Sequence, residues 1–257
     1  MTEIEINDKK YTAPSKWAEL SQEQLIIWMK VCEKKISASM ALMFVSVVFS
    51  GIKKNLHFKL NVAQQIALSE SFNFLLENKL TAWIIPTIKI GFKTFLGPSD
   101  YFSTSTIEEF STAETYYHAY LKNKDEALLD LLIATLYRPA SSINNGKDTR
   151  KVFAEVDVLR NARKMSKLDK HLRAAILFNY EGCRLSVMQR YPTLFIQGDG
   201  AADPARLPDL SPIIKTIAGG KFGTYKQTKM EDLYVFLNHW RDEQEAWEKQ
   251  KQEANRK

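Results

Sequence analysis

Cysteine is nearly missing from this chain of 257 residues: only Cys32 and Cys183 occur, far apart and outside any C-x-x-C pair. Two isolated thiols exclude a disulfide framework and a thiolate metal site, and they fit a reducing compartment. Histidine is almost as sparse. His57, His118, His171 and His239 are scattered with no H-E-x-x-H among them, so no histidine metal centre is spelled out. Glycine-rich phosphate loops are absent too. The stretch GGKFGT, residues 219–224, lacks the G-x-x-x-x-G-K-[ST] spacing that aims backbone amides at phosphates and reads as a helix end and turn. GDGAAD, residues 198–203, has no bidentate glutamate at calcium-loop spacing and reads as a linker. No serine stands in a G-x-S-x-G elbow. The N-terminal MTEIEINDKKYTAP has neither the basic start nor the apolar core of an export signal, which points to the cytoplasm of the cell that makes the chain, or to a particle built there. The expectation is a protein that is not an enzyme and uses no cofactor or metal. A pairing of Glu114 with His118, one helical turn apart, could serve acid/base chemistry, but an ordinary i,i+4 contact is the commoner meaning.

What the chain does contain is 45% hydrophobic and 26% charged residues, the balance of a globular protein rather than a disordered one. Long apolar runs are limited to one. KKISASMALMFVSVVFSGIKK, residues 34–54, holds an uncharged core from Ile36 to Ile52 between two lysine pairs. As one helix, those residues would extend about 25 Å, short of the roughly 30 Å of bilayer hydrocarbon. A membrane span over 36–52 is therefore the lesser alternative. Ser39, Ser46 and Ser50 share a stripe that wants a close neighbour, and a core helix is the expectation.

Periodicity predicts a mainly α fold, a helical bundle with a small accessory β hairpin or sheet element. Ser21 and Gln24 form a capping-box pattern ahead of Leu25, Trp28, Met29 and Cys32 at helical spacing. A further helix is expected over Asn61–Asn78, with Ile66, Phe72, Leu75 and Leu76 inward. IEINDKKYTA reads as a hairpin, and TAWIIPTIKIGFKTFLGPSD as β-rich with Pro86 at an edge. Thr106 and Glu109 form a second capping-box pattern, and ALLDLLIATLY, residues 127–137, is apolar almost all round, so it belongs in the middle of a bundle. Leu168–Arg190 reads as one long helix. A last helix from about Thr228 has Leu233, Phe236, Leu237 and Trp240 on one stripe and then turns polar apart from Trp247. The turn-rich SSINNGKDTR marks a mobile loop or boundary, which divides the chain into 1–139 and 140–257, two regions or one continuous domain.

Charge is uneven. Between Lys147 and Arg190 eleven Lys/Arg face five acids, so this segment carries the whole net charge of +6. Such a segment could meet phosphate or an acidic protein, although a solvated basic face is the commoner outcome, and its core RNARKMSKLDKHLR has no aromatic residue for base stacking. Candidate partner-binding residues are Arg150, Lys151, Arg160, Arg163, Lys164 and Lys167, with Trp240 and Trp247 as apolar anchors on the last helix.

Several short stretches resemble a recurring pattern in uncharacterised proteins of tailed bacteriophages and prophages. They are PSKWAELS at 14–21, TIEEF at 106–110 with AETYY at 113–117, ATLYRP at 134–139 and AILFNYEGCR at 175–184. The resemblance covers most of the chain and implies a non-enzymatic protein of virion tail or neck morphogenesis acting through contacts with other subunits. It carries over no functional residue. A nucleic-acid-binding accessory role for residues 147–190 and a membrane-associated protein are the alternatives.

Overall fold

The computed structural model describes residues 1–6, 9–141, 148–195 and 210–255. In chain order its elements are β1 (Thr2–Ile6), β2 (Lys9–Ala13), α1 (Gln22–Glu33), α2 (Ala38–Phe49), α3 (Lys54–His57), α4 (Val62–Glu70), β3 (Thr87–Ile90) and β4 (Lys93–Leu96). Then come α5 (Ile107–Asn123), α6 (Glu126–Leu136), α7 (Glu155–Met165), α8 (Lys170–Arg190), α9 (Leu210–Ile217), α10 (Tyr225–Lys229) and α11 (Leu233–Ala254). The fold is mainly α, with two antiparallel hairpins as its β component among the described residues. It forms two compact units, Met1–Ile85 with Asp169–Cys183, and Pro86–Leu168 with Arg184–Lys257. Most of the turn-rich loop at 141–150 and all of GDGAAD lie outside the described residues.

In the first unit, the Ser21 hydroxyl accepts from Gln24 N–H while the Gln24 side chain accepts from Ser21 N–H, so the predicted capping box starts α1. Leu25, Trp28, Met29 and Val31 turn inward from α1, and Leu42, Val45 and Phe49 of α2, which packs against α1 and α4, are buried as well, as are Leu68, Phe72 and Leu75. Cys32, expected on that stripe, is exposed. The helix expected over 61–78 breaks after Glu70 into a 3-10 turn at Asn73–Leu76. That break reorients the side chains: Phe72 and Leu75 are buried, while Ile66 and Leu76 are exposed.

The loop after this turn is fastened to α8. Asn179 Oδ1 accepts from Ile84 N–H at 2.9 Å and its Nδ2 donates to the Ala82 carbonyl at 2.8 Å. Gly182 lets the loop come close, since a Cβ there would lie 2.1 Å from the Leu80 carbonyl oxygen. Cys183 completes the contact by donating to the Thr81 carbonyl at 3.2 Å. Within NYEGC, Asn179, Gly182 and Cys183 therefore form a helix surface shaped to hold a loop backbone, which is a packing role for these three residues.

In the second unit, Lys124 takes the left-handed conformation at the end of α5 and turns the chain into α6. Leu129, Leu132, Ile133 and Leu136 of α6 are buried, and the helix packs against both α5 and α7, as its almost all-round apolarity predicts. At the N-terminus of α5 only half of the expected capping box forms. Thr106 Oγ1 accepts from Glu109 N–H at 3.2 Å, but the Glu109 carboxylate turns away to two arginines. The last helix does not start at Thr228. A Thr224–Gln227 capping box begins the short α10, and α11 starts afresh at Asp232, whose carboxylate accepts from Tyr234 and Val235 N–H.

Among the described residues no helix is long and apolar enough to cross a membrane. The uncharged run at 36–52 does not stay helical throughout: Ser50 caps α2, and Gly51 follows at φ +69°. Twelve residues of α2 extend about 18 Å, well short of a bilayer, so the spanning alternative falls.

Candidate interaction surfaces

Two buried ion clusters in the second unit absorb residues that the sequence offers as chemistry or as binding groups. Glu109, 1% exposed, accepts from Arg150 Nη1 at 2.7 Å and from Arg138 Nη2 at 2.8 Å. Asp148 accepts from the backbone N–H and Nε of Arg150, each at 2.9 Å, and from Arg138 Nη2 at 3.0 Å. Arg150 also donates to the Leu136 carbonyl and Arg138 to that of Lys151, so two guanidiniums and two carboxylates tie residues 148–151 to α5 and the end of α6. Burial pushes the Arg138 guanidinium down from its ordinary value; Arg150 is pushed up, because Glu109 and Asp148 outweigh the same burial. A carboxylate enclosed by two guanidiniums makes this a clasp that holds its segments together.

The second cluster explains the Glu114–His118 spacing. Both Glu114 oxygens lie 2.9 Å from Arg184 Nε, and His118 Nε2 lies 3.3 Å from the same carboxylate. The Arg184 guanidinium stands 5.0 Å from the centre of the Tyr117 ring. With Arg184 holding the carboxylate, the pair is an i,i+4 contact within an ion cluster. Among the described residues no group of three or more His, Cys, Asp or Glu is placed to hold a metal.

The basic segment is consequently divided. Arg150, 3% exposed, is withdrawn into the clasp and is no partner-binding residue, which corrects the sequence expectation. Arg184 is withdrawn likewise. Lys151 and Arg160 both pair with Asp157 at the surface. Lys164 is half-buried, donates to Asn161 and lies over the Phe95 ring; burial, then the neighbouring Lys93 and Arg160, push its ammonium down. Arg163 and Lys167 remain outward, and Val156 and Leu159 on the same helix are exposed as well. Of the proposed anchors, Trp240 is 7% exposed with its ring against Phe195, so it is core and not an anchor. It falls on the buried stripe with Leu233, Phe236 and Leu237, and the stripe alone would have placed it inside. Trp247 is 59% exposed on the outer turns of α11.

A surface that charge counting over 147–190 did not reveal lies on α2. Its inner stripe, Ala41, Leu42, Val45 and Phe49, is buried, but Met40, Met43, Phe44 and Val48 are exposed, at 58%, 38%, 47% and 41%. Their spacing of three, four and eight residues from Met40 puts them on one face. Nearby in sequence, Phe58, Val62 and Ile66 are exposed too, and α4 packs against α2. From Lys34 to Ser69 there is no Asp or Glu, whereas Lys34, Lys35, Lys53, Lys54 and Lys59 are all exposed. Lys34 Nζ stands 5.0 Å from the centre of the Phe44 ring. The readable signal was the acid-free interval between Glu33 and Glu70, which a net-charge sum over the whole chain conceals.

Two concavities open among the described residues. In the first unit, a groove of about 280 Å³ separates β1 from α4 and is lined by Glu3, Ile4, Leu60, Gln64 and Leu68. In the second, a polar cleft of about 200 Å³ gathers Ser111, Thr115, Tyr116 and Tyr225 beside the Glu108–Lys229 ion pair. No family model matches the chain, and neither the curated proteins nor the solved structures contain a significant match.

Proposed function

We propose that the chain is a non-catalytic docking component, an assembly protein of the tailed-phage type that works by contact with other protein subunits. The observation that carries this reading is the α2 face: four neighbouring apolar side chains left in water on a helix whose opposite face is core. Contiguous exposed apolar surface of this kind marks interaction sites. The resemblance of PSKWAELS, TIEEF, ATLYRP and AILFNYEGCR to phage and prophage proteins supplies the setting, virion tail or neck morphogenesis. The enclosure of Glu109 and Glu114 by arginines supports a non-enzymatic reading of the two buried carboxylates that the sequence brought forward. A nucleic-acid role is the weaker reading, because Arg150 and Arg184 are buried and Lys151 and Arg160 share an ion pair with Asp157.

The test is co-expression with the products of the adjacent genes, followed by size exclusion with light scattering. A stoichiometric complex that forms with the wild type and is lost with Phe44→Glu is the expected result. Absence of any complex with the wild type would overturn the reading.

A further inference from the structure

We infer that the α2 face receives an amphipathic helix of a partner protein carrying acidic residues at both ends, an assignment that rests on the docking reading above. The face runs from Met40 to Val48, about 12 Å along α2, so it suits two turns of a helix laid along it rather than a point contact. Its lining is Met40, Met43, Phe44 and Val48. Two flexible thioethers beside one aromatic ring form an adaptable apolar floor of the kind that accepts the i, i+3, i+4, i+7 anchors of a helix.

Charge then specifies the ends. Lys34 and Lys35 precede α2, Lys53 and Lys54 follow it, and no acid occurs between Lys34 and Ser69 to neutralise them locally. A partner helix with carboxylates at its two ends would meet a lysine pair at each end, whereas a basic helix would meet like charge at both. A second copy of the same face is disfavoured on the same ground, because an isologous contact would set lysine pairs against lysine pairs. An anionic bilayer would offer the lysines the same charge, and the vesicle arm of the test separates it from a helix.

The experiment uses the full chain and two labelled synthetic helical peptides, each about 16 residues long so that the helix is stable enough to populate. Both carry Leu and Phe at i, i+3, i+4 and i+7; one has Glu at its ends and the other Lys. Fluorescence anisotropy should show the acidic peptide binding at least about tenfold more tightly than the basic one, with the difference shrinking in high salt. Phe44→Glu should abolish binding of both, and Lys53→Glu with Lys54→Glu should level the preference, because Lys34 and Lys35 keep the opposite sign at the other end. Phe44 and both lysines are exposed, so circular dichroism should show each variant folded. Equal affinity of the wild type for the two peptides, or none for either, overturns the inference. So does self-association of the chain through this face, or binding to phosphatidylglycerol vesicles that Phe44→Glu removes. If the co-expressed complex forms while the peptide preference is absent, docking stands and the acidic helix is the wrong occupant.

Discussion

Truncating Glu109 to alanine would leave the guanidiniums of Arg138 and Arg150 facing each other inside the second unit with only Asp148 between them. Removing one partner of a buried ion cluster costs about 3–5 kcal/mol. Urea unfolding of Glu109→Ala should therefore show a loss of that size, and a loss no larger than a surface substitution would mean that the clasp is not closed. His57 makes a second prediction. It is 3% exposed, with Nε2 at 3.2 Å from Ser46 Oγ, and burial holds its imidazole below the ordinary value of 6.5. The folded state thus keeps it neutral where the unfolded chain takes up a proton. Its contribution is fully present above pH 6.5 and is lost as pH falls from there through the folded value. Wild-type stability should decline over that interval more steeply than that of His57→Gln; parallel pH profiles would refute the assignment. Gly182 is the third such residue. Gly182→Ala presses a methyl group into the Leu80 carbonyl and should cost about 1–3 kcal/mol, unlike an ordinary helical glycine, where alanine stabilises.

Among the elements, α11 separates a structural half from a projecting half. Leu233, Phe236, Leu237 and Trp240 are buried, and from Asp242 to Asn255 every residue is exposed. Trp240→Ala should cost about 3–5 kcal/mol, as large core truncations do, while Trp247→Ala should leave the unfolding midpoint unchanged. Equal effects of the two would mean that the outer turns are packed after all. This helix also shows what was legible in advance. Periodicity gave its buried stripe and its polar end correctly, because both are properties of one face of one helix. Its start was misjudged, since α10 and α11 are divided by an Asp232 cap that local propensity does not separate from a continuous helix. The short α3 and α10 span too few residues to show a period, whereas α9 went unread although Leu210, Ile213, Ile214 and Ile217 stand at helical spacing. The clasp was hidden for a different reason. Glu109 matched a capping box perfectly well, and only tertiary structure brings Arg138 and Arg150 close enough to compete for its carboxylate.

For the molecule as a whole, chain order and compactness disagree: the first unit is assembled from residues 1–85 together with 169–183. The second piece cannot be spared. It supplies Ala175, Ile176 and Tyr180 to the core, Phe178 to the Trp17 ring at 5.0 Å, and Asn179 to the loop that ends the first piece. A fragment of residues 1–85 would expose the apolar surface those side chains cover, and it would leave the Ile84 N–H and Ala82 C=O without the partners they have in the fold. Such a fragment should melt without a cooperative transition. A synthetic peptide of residues 169–183 added in trans should restore cooperativity in a concentration-dependent way, since binding only to the folded form shifts the equilibrium by mass action. The same peptide carrying Asn179→Ala should need at least about tenfold higher concentration, since it leaves both the Ile84 N–H and the Ala82 C=O without a partner and about 1.4 kcal/mol is already a factor of ten. If the 1–85 fragment folds cooperatively alone, α8 is a lid on an independent domain and the two-piece core is wrong; if the peptide never restores folding, the chain connection between the pieces contributes more than their contacts do.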